Sequence, residues 1–367
     1  MKLSHIILWL IASQVLTSLS LSAEPKDQIK TDVITDVNAI PWGMVLLNER
    51  QLLVTLRQGN AVIVNVNTGV QQPVTGLPEV MARGQGGLLD VKLSPDYQQS
   101  GWLYFTYSKP VNNQGATTLA RAKLTGSALS QWQDILVTQS RSDTSRHYGS
   151  RITFDNKGHV FFSVGDRGVR PNGQDLMTHA GSILRLTLDG SVPQDNPFIG
   201  REDVLPEIYS YGHRNPQGLA FDVNTNRLWA IEHGPRGGDE INLINPGKNY
   251  GWPVTSHGKE YWGPLRVGES KVRTGIETPL KVYSPSIAPS SLLLYQGEEF
   301  KQWQGDLFAG ALKLTHLNHI KIKNGRISKE RRYLLAQEQR IRNVISDPRG
   351  RLIIATDDGE IIRLSAK

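Results

Sequence analysis

Between Tyr211 and Trp252 the chain reads Tyr-Gly-His-Arg-Asn-Pro-Gln-Gly, then Glu-His-Gly-Pro-Arg-Gly-Gly-Asp-Glu-Ile-Asn, then Gly-Lys-Asn-Tyr-Gly-Trp-Pro. These polar loops, rich in glycine and proline, are poor core material, because their backbone polar groups would need partners. They suit a site where several donor types converge on something anionic and something metallic. Arg214 and Asn215 offer a guanidinium and an amide, and Pro216 holds them in an extended or turn conformation. Gly234, Gly237 and Gly238 with Pro235 free the backbone so that carbonyl oxygens can face a hard cation, with the charge of Asp239 and Glu240 beside them. The spaced ligands of a twelve-residue EF-hand loop are missing.

His147, in Ser145-Arg146-His147-Tyr148-Gly149, precedes the strand-like run Arg151 to Phe154, where a general base would be presented. Arg146 beside it disfavours the charged imidazole, and Asp166, in Val164-Gly165-Asp166-Arg167-Gly168, is placed to orient the ring. Spacing alone favours reading His147 as a solvent-facing or structural loop histidine. Arg340 and Arg342 stand two apart around Ile341, so a strand would put both guanidiniums on one face, suited to carboxylates or phosphates. A solvated edge strand fits that pair as well. Lys313 follows Ala309-Gly310-Ala311-Leu312 at a strand end, and Gln85 lies in Gly84-Gln85-Gly86-Gly87-Leu88-Leu89-Asp90. The sequence holds no zinc-spaced His/Cys cluster, no phosphate-binding Gly-Lys-Ser/Thr loop and no Gly-x-Ser-x-Gly elbow.

These residues need a scaffold of turns and short strands. A unit recurs: a turn of Asp, Asn, Gly or Pro, a short apolar strand, a polar break, another strand. Examples are Gln51 to Leu56 with Ala61 to Val64, Trp102 to Tyr107 with Leu119 to Leu124, and His159 to Val164 with Ile183 to Leu188. Leu228 to Ile231 with Ile241 to Ile244, Leu307 to Ala309 with His319 to Ile322, and Leu352 to Ala355 with Ile361 to Leu364 continue it. Copies at an irregular period of about 45 to 80 residues predict an all-β, six-bladed propeller, with a two-sheet sandwich as the alternative. The 35 glycines and 19 prolines suit its many tight turns. The longest gap, Asn245 to Gln304, predicts a long insertion on the ligand-binding face.

The N-terminus reads as a cleavable secretory leader over residues 1–23, from Lys2 through an apolar stretch to Ser22-Ala23, with residues 24–367 forming one propeller domain. Zero cysteines are compatible with an oxidising, periplasmic setting in which no disulfide is used. No later segment reaches membrane-span length. The net charge of +7 is dispersed, and the cluster Lys329, Arg331, Arg332 lacks interleaved aromatics, so neither nucleic-acid binding nor membrane insertion is expected.

Taken in order, Gly-Gln-Gly-Gly-Leu-Leu-Asp, Gly-His-Arg-Asn-Pro-Gln-Gly, Gly-Pro-Arg-Gly-Gly-Asp-Glu-Ile-Asn and Gln-Arg-Ile-Arg resemble segments of the soluble, periplasmic quinoprotein sugar dehydrogenases. These are six-bladed propellers that use pyrroloquinoline quinone (PQQ) and calcium; the aldose sugar dehydrogenase branch is the nearer likeness, running from about Ile40 to the C-terminus. The resemblance implies His147 as the base that takes the anomeric hydroxyl proton, and Arg214 and Asn215 on the quinone oxygens. Lys313, Arg340 and Arg342 would hold the cofactor's carboxylates, with Gln85 and Tyr261 also lining its pocket. The carbonyls of Gly234 and Pro235 would ligate calcium, and a further calcium is implied near Glu240 and Tyr250. An aldose is the implied substrate, and an external quinone, cytochrome or dye the implied electron acceptor. The chain would act as a monomer or homodimer.

Two departures fall where the sugar would sit. The family's glucose dehydrogenases carry an acidic residue where this chain has Arg146, and a tryptophan where it has Ser284, in Ser284-Pro285-Ser286-Ile287-Ala288-Pro289-Ser290. They imply a more open pocket with broad aldose tolerance. The competing expectations are a non-catalytic sugar- or protein-binding propeller and a calcium-dependent lactonase. The basic set Arg214, Lys313, Arg340 and Arg342 argues against the lactonase, which would need acidic and Asn ligands along its channel.

Overall fold

The computed structural model describes residues 29–367; the expected leader lies outside the described residues. Among them, 24 strands form six four-stranded antiparallel sheets, the blades of a propeller. Blades one to five are meanders over residues 41–73, 88–137, 152–211, 216–283 and 293–333. The sixth joins Ile341–Ser346, Leu352–Thr356 and Glu360–Ala366 to Ile29–Asp36, which pairs antiparallel with Glu360–Ala366 and shuts the ring. The first strands of successive blades touch one another all the way round, so they line the axis.

The repeat legible in the sequence is the second and third strand of each blade. These strands are apolar on both sides because each blade is covered by two neighbours. Along His159–Val164, Val160, Phe162 and Val164 enter a cluster with Tyr104 and Leu119 of blade two, while Phe161 faces Leu219 and Leu228 of blade four. Period two in a strand makes that division automatic. Six such clusters lie between neighbouring blades, and each fully buried large side chain contributes roughly 1.5–3 kcal/mol. The recurring turn residue also has a structural duty: Asp155 Oδ1 accepts the backbone N–H of Lys157 and His159, as Asp347 Oδ1 accepts those of Arg349 and Arg351.

The axis is closed by one side chain. Arg151, buried in blade three, donates Nε to Gln217 O at 3.0 Å and Nη1 to Trp42 O at 3.3 Å. Nη1 also reaches Asp90 Oδ1 at 3.2 Å, and Nη2 reaches Ser290 O and Arg342 O. Its guanidinium stacks over the Trp42 ring at 3.9 Å. Its partners come from blades one, two, four and six and from the segment entering blade five, so one fork touches the whole ring.

Strand directions put the entries to the first strands and the loops between second and third strands at one end of the ring. His147, Gln85, Arg214 and Arg340 lie on the former, and Asp166, Gly234 and Lys313 on the latter. The insertion after Asp239–Ile244 begins at the opposite end. Residues 245–252 then climb back beside Ile208–Tyr211, with Tyr250 N donating to Tyr211 O and Trp252 N to Gly212 O, each at 2.8 Å. The insertion expected on the ligand face therefore reaches that face from the far side.

Candidate active site

His147 has a left-handed backbone (φ 55°), and Gly149 and Ser150 behind it are also positive. Such a conformation costs about 1–3 kcal/mol in a side-chain-bearing residue and persists where surroundings over-determine it. Here they do: His147 N donates to Gln85 Oε1 at 2.7 Å, and Gly149 N to Asn215 Oδ1 at 3.1 Å. The ring's Nδ1 lies 2.6 Å from Asp166 Oδ1. Asp166 is in turn fixed by Gly168 N and by Trp252 Nε1, each at 2.7 Å. The tautomer with a proton on Nδ1 leaves Nε2 free to accept one, and Nε2 has no protein partner among the described residues. Burial pushes the imidazole below its ordinary value and the charges of Arg214 and Arg146 add to this, against the opposing pull of Asp166. Burial would raise Asp166, but its bonds to His147 and Gly168 and the charge of Arg214 together hold it low.

Beside this dyad lies a cavity of about 310 Å³, whose wall includes Gln85, Tyr148, Gly149 and Asn215 on one side and Arg340, Arg342 and Asp357 on the other. Trp42 contributes to its lining, and Arg57 to its edge. The two arginines do share a face. Arg340 Nε lies 2.8 Å from Asp357 Oδ2, and Arg342 Nε and Nη2 lie 2.7 and 2.9 Å from the two oxygens of the same carboxylate. Burial acts upward on Asp357, but the two guanidiniums outweigh it and keep the carboxylate ionised. Two positive charges held by one negative leave a net cationic wall. Lys313 is exposed and stands at the rim, next to Leu312, whose carbonyl accepts Arg340 Nη1 at 2.9 Å.

Arg214 is buried, with Nη1 on Gly234 O at 2.9 Å and the guanidinium over the Trp252 ring at 5.3 Å. Gly234, Pro235, Glu240 and Tyr250 meet around a second cavity of about 10 Å³, together with Glu232. Glu232 and Glu240 are direct cross-strand partners, so their carboxylates face one another. Burial, and then the charge of Glu232, push Glu240 well above the carboxylate range. Asp239 ties the glycine loop down, accepting Gly234 N at 3.0 Å and Ala288 N at 2.7 Å. No group of three or more His, Asp or Glu side chains suited to a metal occurs among the described residues, so a cation here would lean on backbone carbonyls. Tyr261 stands apart, 66% exposed on the insertion and outside both cavity walls.

Residues 38–363 match the glucose/sorbosone dehydrogenase family model. The chain belongs to this family. It is 38% identical to the aldose sugar dehydrogenase YliI of Escherichia coli over 348 residues, covering 92% of this chain and 93% of that one. The crystal structure of the soluble aldose sugar dehydrogenase of Escherichia coli in the apo form superposes with a TM-score of 0.89 at 36% identity, over 92% of this chain and all of the other. The PQQ-bound aldose sugar dehydrogenase of Streptomyces coelicolor gives 0.75 at 27% identity, over 92% and 98%. Family membership makes the protein a sugar-oxidising oxidoreductase. No helix among the described residues is long and apolar enough to cross a membrane.

Within this sugar dehydrogenase site, Asp357, Trp252, Glu232 and Arg57 escaped the sequence reading. Asp357 sits in Thr356-Asp357-Asp358-Gly359 and passes for an ordinary turn. Its position in the repeat carried the missing signal: like Asp166, Lys313 and Arg57, it follows the second strand of its blade.

Proposed function

We propose that the protein oxidises aldoses at the anomeric carbon to lactones, with PQQ in the 310 Å³ cavity and calcium beside it. The observation that carries this reading is the His147–Asp166 pair, with Nε2 free, next to a cavity of about 310 Å³ whose far wall carries Arg340 and Arg342. The residues present fit both groups. Arg340, Arg342 and Lys313 suit several carboxylates. Asn215, whose Oδ1 is taken by Gly149 N, keeps its amide N–H groups for a carbonyl oxygen. The carbonyls of Gly234 and Pro235, with Glu232, Glu240 and the Tyr250 region, form an all-oxygen set of the kind calcium prefers. When bound, the quinone supplies a two-electron acceptor for the anomeric hydrogen, and calcium supplies a Lewis acid next to it.

The chain's own part is to place and deprotonate. His147 Nε2 takes the anomeric hydroxyl proton while Asp166 steadies the resulting imidazolium. Arg214 meets negative charge developing at the acceptor. Gln85 keeps the strained His147 backbone at the cavity edge. An external quinone, cytochrome or dye would be the final electron acceptor. The leader-like N-terminus and the absence of cysteine support a periplasmic location, in monomeric or homodimeric form.

Purified protein should reduce an artificial dye with aldoses only after PQQ and calcium are both added. No activity, together with no PQQ binding by absorbance titration, would leave a binding propeller. Replacing Arg340 and Arg342 together by Ala should weaken PQQ by about two orders of magnitude or more, each desolvated charge-assisted contact contributing about 1.5–3 kcal/mol. An unchanged titration curve would remove the carboxylate clamp.

A further inference from the structure

The basic cluster Lys329, Arg331 and Arg332 is divided by the fold. Arg326–Tyr333 is the outer strand of blade five and pairs with His316–Lys323, which sets Arg331 opposite His319 and Lys329 opposite Lys321. Alternation along the strands then sorts the charges by face. Arg332 and Glu330 turn toward blade four, where Glu330 Oε1 meets Arg332 Nε at 3.1 Å and Oε2 meets Lys281 Nζ at 2.7 Å. Lys321, Lys329 and Arg331 share the other face with His319, and none of the three has an acidic partner among the described residues. Two lysines directly opposite one another across a strand pair destabilise the sheet. Lysine on an outer strand can guard its edge, but Lys321 stands on the third strand, not on the edge.

The three cations line a cavity of about 310 Å³, together with Gln302, Trp303 and His319, and no carboxylate contributes to its wall. Two of these wall residues are held firmly from behind. The buried Trp303 stacks on Phe300 at 4.0 Å between ring centroids, and the buried His319 stacks on Phe308 at 4.6 Å. His319 Nε2 lies 2.7 Å from Asp306 Oδ2, whereas Nδ1 of the same ring is buried with no hydrogen-bond partner. A buried ring nitrogen left unpaired is unfavourable and calls for a partner. Lys301–Trp303 belongs to the connection between the first and second strands of the blade. The cavity therefore lies toward the end of the ring opposite His147, outside the proposed sugar chemistry.

We propose that this cavity binds a compact phosphate monoester, either a small molecule free in solution or the headgroup of a lipid. Its volume stands at the lower end of the range for small-molecule pockets, about 300–1,000 Å³, so the group it encloses is small. Three cations without an acid call for more than one negative charge, and a phosphate monoester brings nearly two, spread over three acceptor oxygens. The planar fork of Arg331 suits two of those oxygens at once, and the lysines serve as point charges beside it. Phosphate also suits either state of the His319 ring, since its protonated oxygen donates to a bare nitrogen and its ionised oxygens accept from an N–H. An aldose or a lactone has no charge to answer these cations, so this is not a second substrate pocket. Either phosphate source leaves the His147 end of the ring unobstructed.

The test is calorimetric titration of the purified protein with glycerol 3-phosphate, with PQQ and calcium present so that the Arg340–Arg342 wall is occupied. Arg331→Gln and Lys329→Gln should each weaken binding by about tenfold or more, the loss of one charge-assisted contact. Arg332→Gln removes the same charge from the opposite face and should stay within about twofold of wild type, because a distant surface charge is screened. Vesicles of phosphatidylcholine with and without phosphatidic acid identify the source. Co-sedimentation that requires both phosphatidic acid and Arg331 assigns a lipid headgroup, and titration heat without co-sedimentation assigns a free phosphate ester. Unchanged affinity in Arg331→Gln and Lys329→Gln, an equal loss in Arg332→Gln, or no binding in either assay would overturn the site.

Discussion

Replacing His147 by Gln should lower sugar turnover by about two orders of magnitude or more, with PQQ still bound. Glutamine keeps a polar side chain near the position of the imidazole but has no basic nitrogen, so the anomeric proton loses its acceptor. The fold should hold, because the bonds that constrain this backbone run to the amides and carbonyls of residues 147–150 rather than to the ring. The same geometry sets the pH profile. Burial, Arg214 and Arg146 press the imidazole below its ordinary 6.5, so the free base predominates at neutral pH. The acid limb of kcat/KM should therefore bend below that value, activity being lost only as pH falls through the depressed pKa. Turnover within about fivefold of wild type, or an acid limb above 6.5, would take the base role away from His147.

Arg151→Met should damage the fold more than any other single change. It removes five hydrogen bonds that tie all the blades together at the axis and leaves the buried Asp90 side chain without its guanidinium partner. Breaking a buried ion pair from one side costs about 3–5 kcal/mol, and orphaned carbonyls add to that. Burial lowers the Arg151 pKa to about 10, so it stays charged throughout the neutral range. Thermal unfolding should show a large fall in Tm or a loss of soluble protein. Adding Asp90→Asn should recover part of the deficit, since the uncompensated charge is then gone while Ile152 N, 3.0 Å from Oδ2, keeps an acceptor. A single variant melting within a few degrees of wild type would mean that the inter-blade clusters alone hold the ring.

What the sequence disclosed follows from where each strand lies. Leu352–Thr356 and its counterparts are covered on both faces and read as unbroken apolar runs. The first strands line the axis and carry Gly43, Asp90, Gln217 and Asn343, so they lack an apolar period. Leu293–Leu294 and Ile152–Phe154 are also too short to show any period. At the site, His147, Asp166, Gln85, Arg214 and the arginine pair could be picked out because charged or amide residues stood among glycines and prolines. Glu232 could not, since it ends an apolar strand and becomes notable only when pairing sets it opposite Glu240. Trp252 looks like a core residue until residues 245–252 bring its indole N–H to Asp166.

The shared sixth blade fixes an order of events during synthesis. Among the described residues, pairing Ile29–Asp36 with Glu360–Ala366 is the strand contact of greatest sequence separation, and its loop-closure entropy is correspondingly unfavourable. Until residues 360–366 have been made, blades one to five can form only an open arc. The apolar flank that later meets Ile353, Ala355 and Ile361 stays wet during that time. An arc of blades that has formed before the seam closes therefore carries an exposed apolar flank, a surface prone to aggregation. The seam acts as a timer as well as a clasp.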